Sequence, residues 1–432
     1  MDIPELSRGA PQARPTQLTV VILCFLLEML DGFDVFAIAY TAPAIAESWG
    51  LGDHALGIVF SVGVIGMAVG AMFVSSIADL IGRRALLLYC LVLITVTMGL
   101  TGLTTTIEQL LLARFFTGIG IGAMLASMTA MVSEYAPVRQ RNLAIGVMHS
   151  AYGIGGVLGG FLAAAMIPAY GWQSVYFLGG VIGLLLLPLV AIGLPESVQF
   201  LLERRPRDTL GRVNAILHKI GAAPLEKLPP LAMAPQRPTV LALLGVGQRR
   251  ATVLLWIAFF MSYLPLFYLT SWMPKIVMGA GLPLSLGIYA GVTFNLGTIV
   301  GDWTCGYLAD RRSLRPLLRG FFVAAATSMI LFGIVPPLWW LLLSMSFVVG
   351  FFVLGGFVGL YMVATRLYAI EIRSTGVGWG IGAGRFGAIL GPYLGGILIT
   401  AQWSTAASFT FFACPLLIAA WAMHALRDPA LQ

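Results

Sequence analysis

Twelve times along this 432-residue chain an apolar stretch recurs that is long enough to cross the roughly 30 Å hydrocarbon core of a bilayer. The stretches cover 18–45, 55–78, 85–105, 108–133, 141–169, 173–194, 251–278, 284–309, 316–335, 337–367, 374–400 and 403–425. No other feature limits the fold as severely. Backbone polar groups inside lipid must be satisfied within the segment, and for runs of this length that means helices. Charged residues make up 10% of the chain, against about 25% in soluble domains, so the expectation is an all-α membrane protein in a lipid bilayer. The first 17 residues are polar and proline-bearing and the first apolar run has full span length, so no cleavable signal peptide is expected. Cys24, Cys90, Cys305 and Cys414 lie in apolar segments without paired spacing. They read as small buried side chains, not as a disulfide or metal framework.

The one long polar interval, 195–250, divides the spans six and six. With the N-terminus placed inside, all 25 Lys and Arg except Arg114, Lys275 and Arg385 fall in inner segments or at their edges, which is the positive-inside asymmetry. The same asymmetry accounts for the net charge of +7 and removes the case for nucleic-acid binding, because the basic residues are spread over many short loops. The two sets of six are copies. A shift of 231 or 232 residues lays 75–84 ("SSIADLIGRR") on 306–315 ("GYLADRRSLR"), Pro43 on Pro274, Trp172 on Trp403, and 141–160 on 373–392 with Arg141 matching Arg373. One common offset for four unlike landmarks marks an internal repeat in the same orientation, an architecture that suits a transporter with its site between the halves. The expected division is a cytoplasmic N-terminal segment (1–17), an N-terminal six-helix bundle (18–194), a cytoplasmic linker (195–250), a C-terminal six-helix bundle (251–425) and a cytoplasmic tail (426–432).

Charged residues inside the spans need a reason. Glu28, Asp31 and Asp34 lie three residues apart in the first span, within about 120° of one helix face. Each would cost roughly 3 kcal/mol at the bilayer centre. In a low-dielectric cavity burial favours the neutral carboxyl, while a nearby arginine favours the charged one. A stripe of this kind can load and release protons; the alternative is a permanent ion pair with Arg114 or Arg385. Glu28 reads equally as a release-path group or a simple pair, Asp302 as a second proton site or a polar contact between helices, and His149 as a proton relay or a hydrogen-bonded packing histidine. Glycines at 146, 153, 155, 156, 159 and 160 allow the fifth span to approach a neighbour closely.

Over nearly its whole length the chain resembles the major facilitator superfamily. The superfamily's loop between spans 2 and 3, G-x-x-x-D-R-x-G-R-R, reads here as Ser75, Asp79, Leu80, Gly82, Arg83, Arg84; the second copy keeps Gly306, Asp310, Arg311 and Arg315 but has Ser313 and Leu314. An acid at a helix end beside arginine-rich turns suits a cytoplasmic gate, here Asp79, Arg83, Arg84, Glu134, Asp310 and Arg311; the alternative is a solvated loop that merely obeys the positive-inside rule. The chain is more narrowly similar to the aromatic acid:proton symporters through "LDGFD" (30–34), "ARFFTGIGIGA" (113–123), "SEYAP" (133–137), "PESVQFL" (195–201), "LTSWMP" (269–274), "FNLG" (294–297) and "GRFGAILGP" (384–392). That resemblance implies the twelve-helix, two-repeat fold and proton-coupled uptake of an aromatic carboxylate. It assigns Asp31 and Asp34 to coupling, and Arg114 and Arg385 to the anion or to charge balance. It also makes spans 1, 4, 7 and 10 cavity-lining, so that Phe33, Phe36, Tyr40, Tyr263, Tyr268, Trp272 and Tyr361 become stacking candidates, the alternative for each being core or interfacial packing.

The residues agree on the main point. A planar guanidinium suits a carboxylate bidentately; the alternative is that both arginines only pair with the acids of the first span. Gly382, Gly391, Pro392, Gly395 and Gly396 place in span 11 a glycine–proline pattern that marks many antiporters in span 5, where Gly156 stands here in place of the proline. This favours symport, with a transporter of another small organic anion or a drug/proton antiporter as the rival. No metal motif, Ser/His/Asp set or phosphate loop supports an enzyme, and no cofactor is expected. The partners expected are a small carboxylate, protons and the bilayer, with the protein a monomer.

Overall fold

A computed structural model describes residues 15–137, 140–229, 243–245, 248–309, 311–368 and 370–426, without the side chains of 142 and 370–375. Fourteen helices are found among the described residues. The first six spans are α1 (Pro15–Trp49), α2 (Asp53–Ile81), α3 (Arg83–Gly102), α4 (Ile107–Tyr135), α5 (Arg141–Tyr170) and α6 (Gln173–Gly193). Two short helices follow, α7 (Val198–Arg204) and α8 (Thr209–Ile220). The last six are α9 (Arg249–Gly279), α10 (Leu284–Ala309), α11 (Leu314–Ile334), α12 (Trp339–Leu367), α13 (Ile370–Thr400) and α14 (Thr405–Ala425). Among the described residues ten of the twelve long helices are long and apolar enough to cross a membrane; α1 and α13 are 35 and 31 residues long.

Helix ends follow local chemistry. Gly50 (φ 64°) and Gly82 (φ 105°) adopt backbone conformations that favour glycine and stop α1 and α2. The interval 195–250, expected as a linker, is partly folded. Ser197 caps α7 by accepting from the Phe200 amide at 3.1 Å, and α8 turns Val213, Leu217 and Ile220 inward before Gly221 ends it at φ 71°. The expected N-terminal segment, tail and middle of the linker lie largely outside the described residues. One expectation is corrected: Cys24, Cys90 and Cys305 are buried, but Cys414 is exposed, because it sits on the α14 face that also exposes Phe411, Ile418 and Trp421.

The repeat is visible in contacts as well as in sequence. A Cβ on Gly66 or Gly70 of α2 would lie 2.2 or 2.1 Å from the carbonyls of Phe115 and Ile119 on α4. A Cβ on Gly297 or Gly301 of α10 would lie 2.1 Å from the carbonyls of Phe347 and Phe351 on α12. The glycines are displaced by 231 and their partners by 232, so both copies bring two backbones together in the same way. Gly155 against Met29 and Gly387 against Phe260 form a second such pair.

Gly32, the glycine of the DGFD stretch, has a related function. A Cβ there would meet the Tyr152 carbonyl oxygen at 2.0 Å, which only a backbone shift could relieve. Gly32→Ala is therefore expected to destabilise the protein by about 1–3 kcal/mol, read as a lower melting temperature in detergent. Gly99→Ala, with nothing within 4 Å, is the neutral control.

Two compact units are present. The first holds α1 up to Asp34, Ile65–Gly155 and, from Tyr176, α6 to α8; the second holds Val35–Val64, Gly156–Val175 and α9 to α14. The units do not coincide with the two repeats, because the far ends of α1, α2 and α5 pack with α9, α10 and α13.

Candidate functional site

In the first unit Asp34 of α1 meets α4 and Glu28 meets α5. Asp34 is fully buried and receives both terminal nitrogens of Arg114, each at 2.8 Å, one on each carboxylate oxygen. This is the bidentate fork, and it occupies Arg114. Asp31, one turn earlier, is 3% exposed, and its Oδ1 has no hydrogen-bond partner among the described residues. Glu28 is 4% exposed; its Oε1 lies 3.6 Å from His149 Nδ1, and its Oε2 has no partner. The stripe therefore contains one neutralised carboxylate and two with spare capacity. The Phe33 ring is packed against α6 at Gly179, and its backbone lies close to Gly155 of α5.

In the second unit, four aromatic rings gather between α9 and α12. Tyr263 meets Phe357 edge-on at 4.6 Å, Phe259 and Phe357 each meet Tyr361 edge-on at 5.4 Å, and the hydroxyls of Tyr263 and Tyr361 share a hydrogen bond at 3.2 Å. Gly384 of α13 lets the Tyr263 ring lie against its backbone, since a Cβ would sit 2.1 Å from that ring. The next residue is Arg385, half-buried, with no partner for its Nε among the described residues. Arg385 and Asp302 both lie close enough to the Tyr361 hydroxyl to act on it electrostatically, and Asp302 Oδ1 is likewise unpartnered. Sequence reasoning singled out Tyr361 and Arg385 but not Phe259 or Phe357. The available signal was the four-residue spacing Phe259/Tyr263 and Phe357/Tyr361, which puts each pair on one helix face.

The other aromatic candidates have packing partners. The Tyr40 hydroxyl donates to the Gly156 carbonyl at 2.9 Å and accepts from Asn295 Nδ2 at 3.2 Å, joining α1, α5 and α10. Tyr268 stacks on Phe412 at 3.8 Å and so faces α14. Trp272 donates through Nε1 to the Pro392 carbonyl at 2.9 Å and meets Phe60 edge-on. Beside it, Ser61 donates to the Ile389 carbonyl at 2.8 Å and Lys275 pairs with Asp53, so the start of α2 is closed onto α9 and α13.

At the opposite end, the loop between α2 and α3 is held by two segments of the first unit. Arg83 pairs with Glu134, whose carboxylate also accepts from Ser197 at 2.8 Å. Glu196 accepts from the backbone amide of Arg84 at 3.0 Å, at the start of α3 where a negative charge suits the helix dipole. Arg204 donates to the Asp79 carbonyl at 2.6 Å, and the Arg84 guanidinium to that of Ala191. Glu196 and Ser197 were not identified as gate residues from sequence, although "PES" directly follows span 6. In the second copy Arg311 stacks on the Tyr307 ring at 4.3 Å; Asp310 lies outside the described residues.

Two six-helix copies, intramembrane charges and a charged cluster at one end suit a membrane transporter rather than an enzyme. The chain belongs to the major facilitator superfamily, whose family model matches residues 24–337 and 290–431. It is 32% identical to the 4-hydroxybenzoate transporter PcaK of Pseudomonas aeruginosa, over 95% of this chain and 92% of that protein. It is also 32% identical to the 3-(3-hydroxy-phenyl)propionate transporter of Escherichia coli, over 98% and 97%. The fold matches a bacterial homologue of the human lysosomal transporter Spinster, in an inward-facing and occupied conformation, with a TM-score of 0.76, 16% identity and coverage of 96% and 97%.

Proposed function

We propose that the protein is a proton-coupled symporter that imports an aromatic carboxylate across the bacterial cytoplasmic membrane by alternating access, with both termini in the cytoplasm, working as a monomer. The observation that carries this reading is the half-buried Arg385 with its unpartnered Nε beside the Tyr263–Tyr361 cluster. A guanidinium supplies the counter-charge for a carboxylate and the rings supply stacking surface for its aromatic body. Arg114 is already paired, which leaves Arg385 as the intramembrane arginine for the anion. Asp31 has the spare oxygen needed to take up and lose a proton. Both named relatives transport hydroxylated aromatic carboxylates, which supports the substrate class.

The latch at Asp79, Arg83, Arg84, Glu134 and Glu196 acts as the cytoplasmic gate, with the bundles 18–194 and 251–425 as its moving halves. Ion pairs near a surface are worth about 0–1 kcal/mol each, weak enough to break in every cycle. The positive-inside distribution supports the orientation. The test is uptake of labelled benzoate and 4-hydroxybenzoate in cells with and without the gene. Accumulation is expected only with the gene, and a protonophore should collapse it. Accumulation that survives the protonophore would show that protons are not the driving ion.

A further inference from the structure

We infer that Glu28 and His149 form the exit through which the coupled proton leaves the carrier, on the side where α1 begins. The inference rests on the proton-coupled reading above and extends it to a residue on a second helix. Asp31 and Glu28 are one turn apart on α1 and act on each other electrostatically. Glu28 in turn lies 3.6 Å from the imidazole Nδ1, a small side-chain movement away from a hydrogen bond of roughly 2.7–3.2 Å. Exposure rises along this line, from a Glu28 side chain 6% exposed to a His149 side chain 44% exposed. Both Asp31 and Glu28 keep an oxygen without a partner among the described residues, so each can accept a proton without breaking an existing bond.

His149 is exposed on a face away from lipid. The lipid-facing stripe of α5 is marked by the exposed Leu143, Val147, Leu158 and Phe161. At about 100° per residue His149 lies roughly 120° or more from that stripe and in line with Gly156 and Gly160. In the second unit those two glycines pack against Phe36, Tyr40 and Val292. The exposed imidazole is therefore set apart from the lipid-facing stripe of α5.

The other groups acting on the stripe are the thiols of Cys24 on α1 and Cys90 on α3 and the Asp34–Arg114 pair, with Tyr176 of α6 facing Arg114. All of these groups are themselves buried. The transfer balances simply. The Asp31 carboxyl gives its proton to the Glu28 carboxylate, Glu28 gives one to neutral His149, and the imidazolium gives one to water, restoring both carboxylates and the neutral ring.

Purified protein in proteoliposomes, with labelled 4-hydroxybenzoate as the probe, tests this. Exchange of internal for external acid at equal pH lets the carrier keep its proton, whereas uptake driven by an acid exterior requires the proton to leave. In Glu28→Gln and His149→Gln the ratio of driven uptake to exchange is expected to fall at least about tenfold, the scale of a lost acid–base group. A purely structural role would lower both rates together, and an unchanged ratio in both variants overturns the inference. A wild type that exchanges the acid but ignores the gradient defeats the proton-coupled reading itself, a different result.

Discussion

Asp31→Asn is expected to abolish accumulation while leaving the protein in the membrane at wild-type level, whereas Asp34→Asn should also lower the amount of folded protein. The two acids are three residues apart, but their surroundings differ. Asp34 holds both arms of Arg114 in a fully buried fork. Removing its charge leaves a buried guanidinium uncompensated, a change of about 3–5 kcal/mol. Asp31 has an unpartnered Oδ1, so an amide of the same shape disturbs little except the ability to carry a proton. Immunoblots of membranes alongside uptake assays separate the two effects. Asp34→Asn combined with Arg114→Gln should recover the protein level without recovering transport. An Asp34→Asn protein as abundant and as heat-stable as wild type would mean that the pair does not hold the fold.

The second large effect is expected at Arg385. Lysine keeps the charge but loses the planar fork, so Arg385→Lys should weaken binding of the acid by about 1–3 kcal/mol, the worth of a charge-assisted hydrogen bond. Purified protein should distinguish the acid from its uncharged amide in the wild type and much less so in the variant. Equal affinity of wild type and Arg385→Lys for the acid would return the anion to Arg114, which could accept it only by giving up Asp34.

Much of this arrangement was legible in the sequence because membrane spans are written in composition and repeats in offsets. The 231-residue shift that superposes Asp79 on Asp310 also superposes Gly66 on Gly297 at equivalent helix contacts. The acids of α1 stood out because a carboxylate in lipid is costly enough to need an explanation. Aromatic placement was not legible. Tyr263, Tyr268 and Trp272 all lie on α9, but successive residues of a helix point about 100° apart, so Tyr263 meets α12, Tyr268 meets α14 and Trp272 reaches α13. Sequence spacing gives the angles between these side chains but not which neighbour each will find. The fork between Asp34 and Arg114 was equally hidden, since which of two arginines meets which acid depends on helix rotation. Glu196 and Ser197 were overlooked because a polar turn after a span looks like any other until its carboxylate is seen at the start of α3.

The closure of α2 onto α13 has a mechanical consequence. Arg385 and Ile389 are four residues apart on one helix, about 6 Å along its axis, and Ile389 is the residue whose carbonyl Ser61 holds. Pro392, held by Trp272, comes within the next turn. With the anion at Arg385, as proposed above, a shift of α13 at the guanidinium also moves the carbonyls held by Ser61 and Trp272 about a turn or two further on. The two hydrogen bonds of this seal, worth about 0.5–1.5 kcal/mol each, are together comparable to the about 1–3 kcal/mol expected of the carboxylate at Arg385. On the proposed reading, occupancy and closure on that side are thus matched in energy, and a carrier built this way needs no separate signal to report that its cargo is aboard.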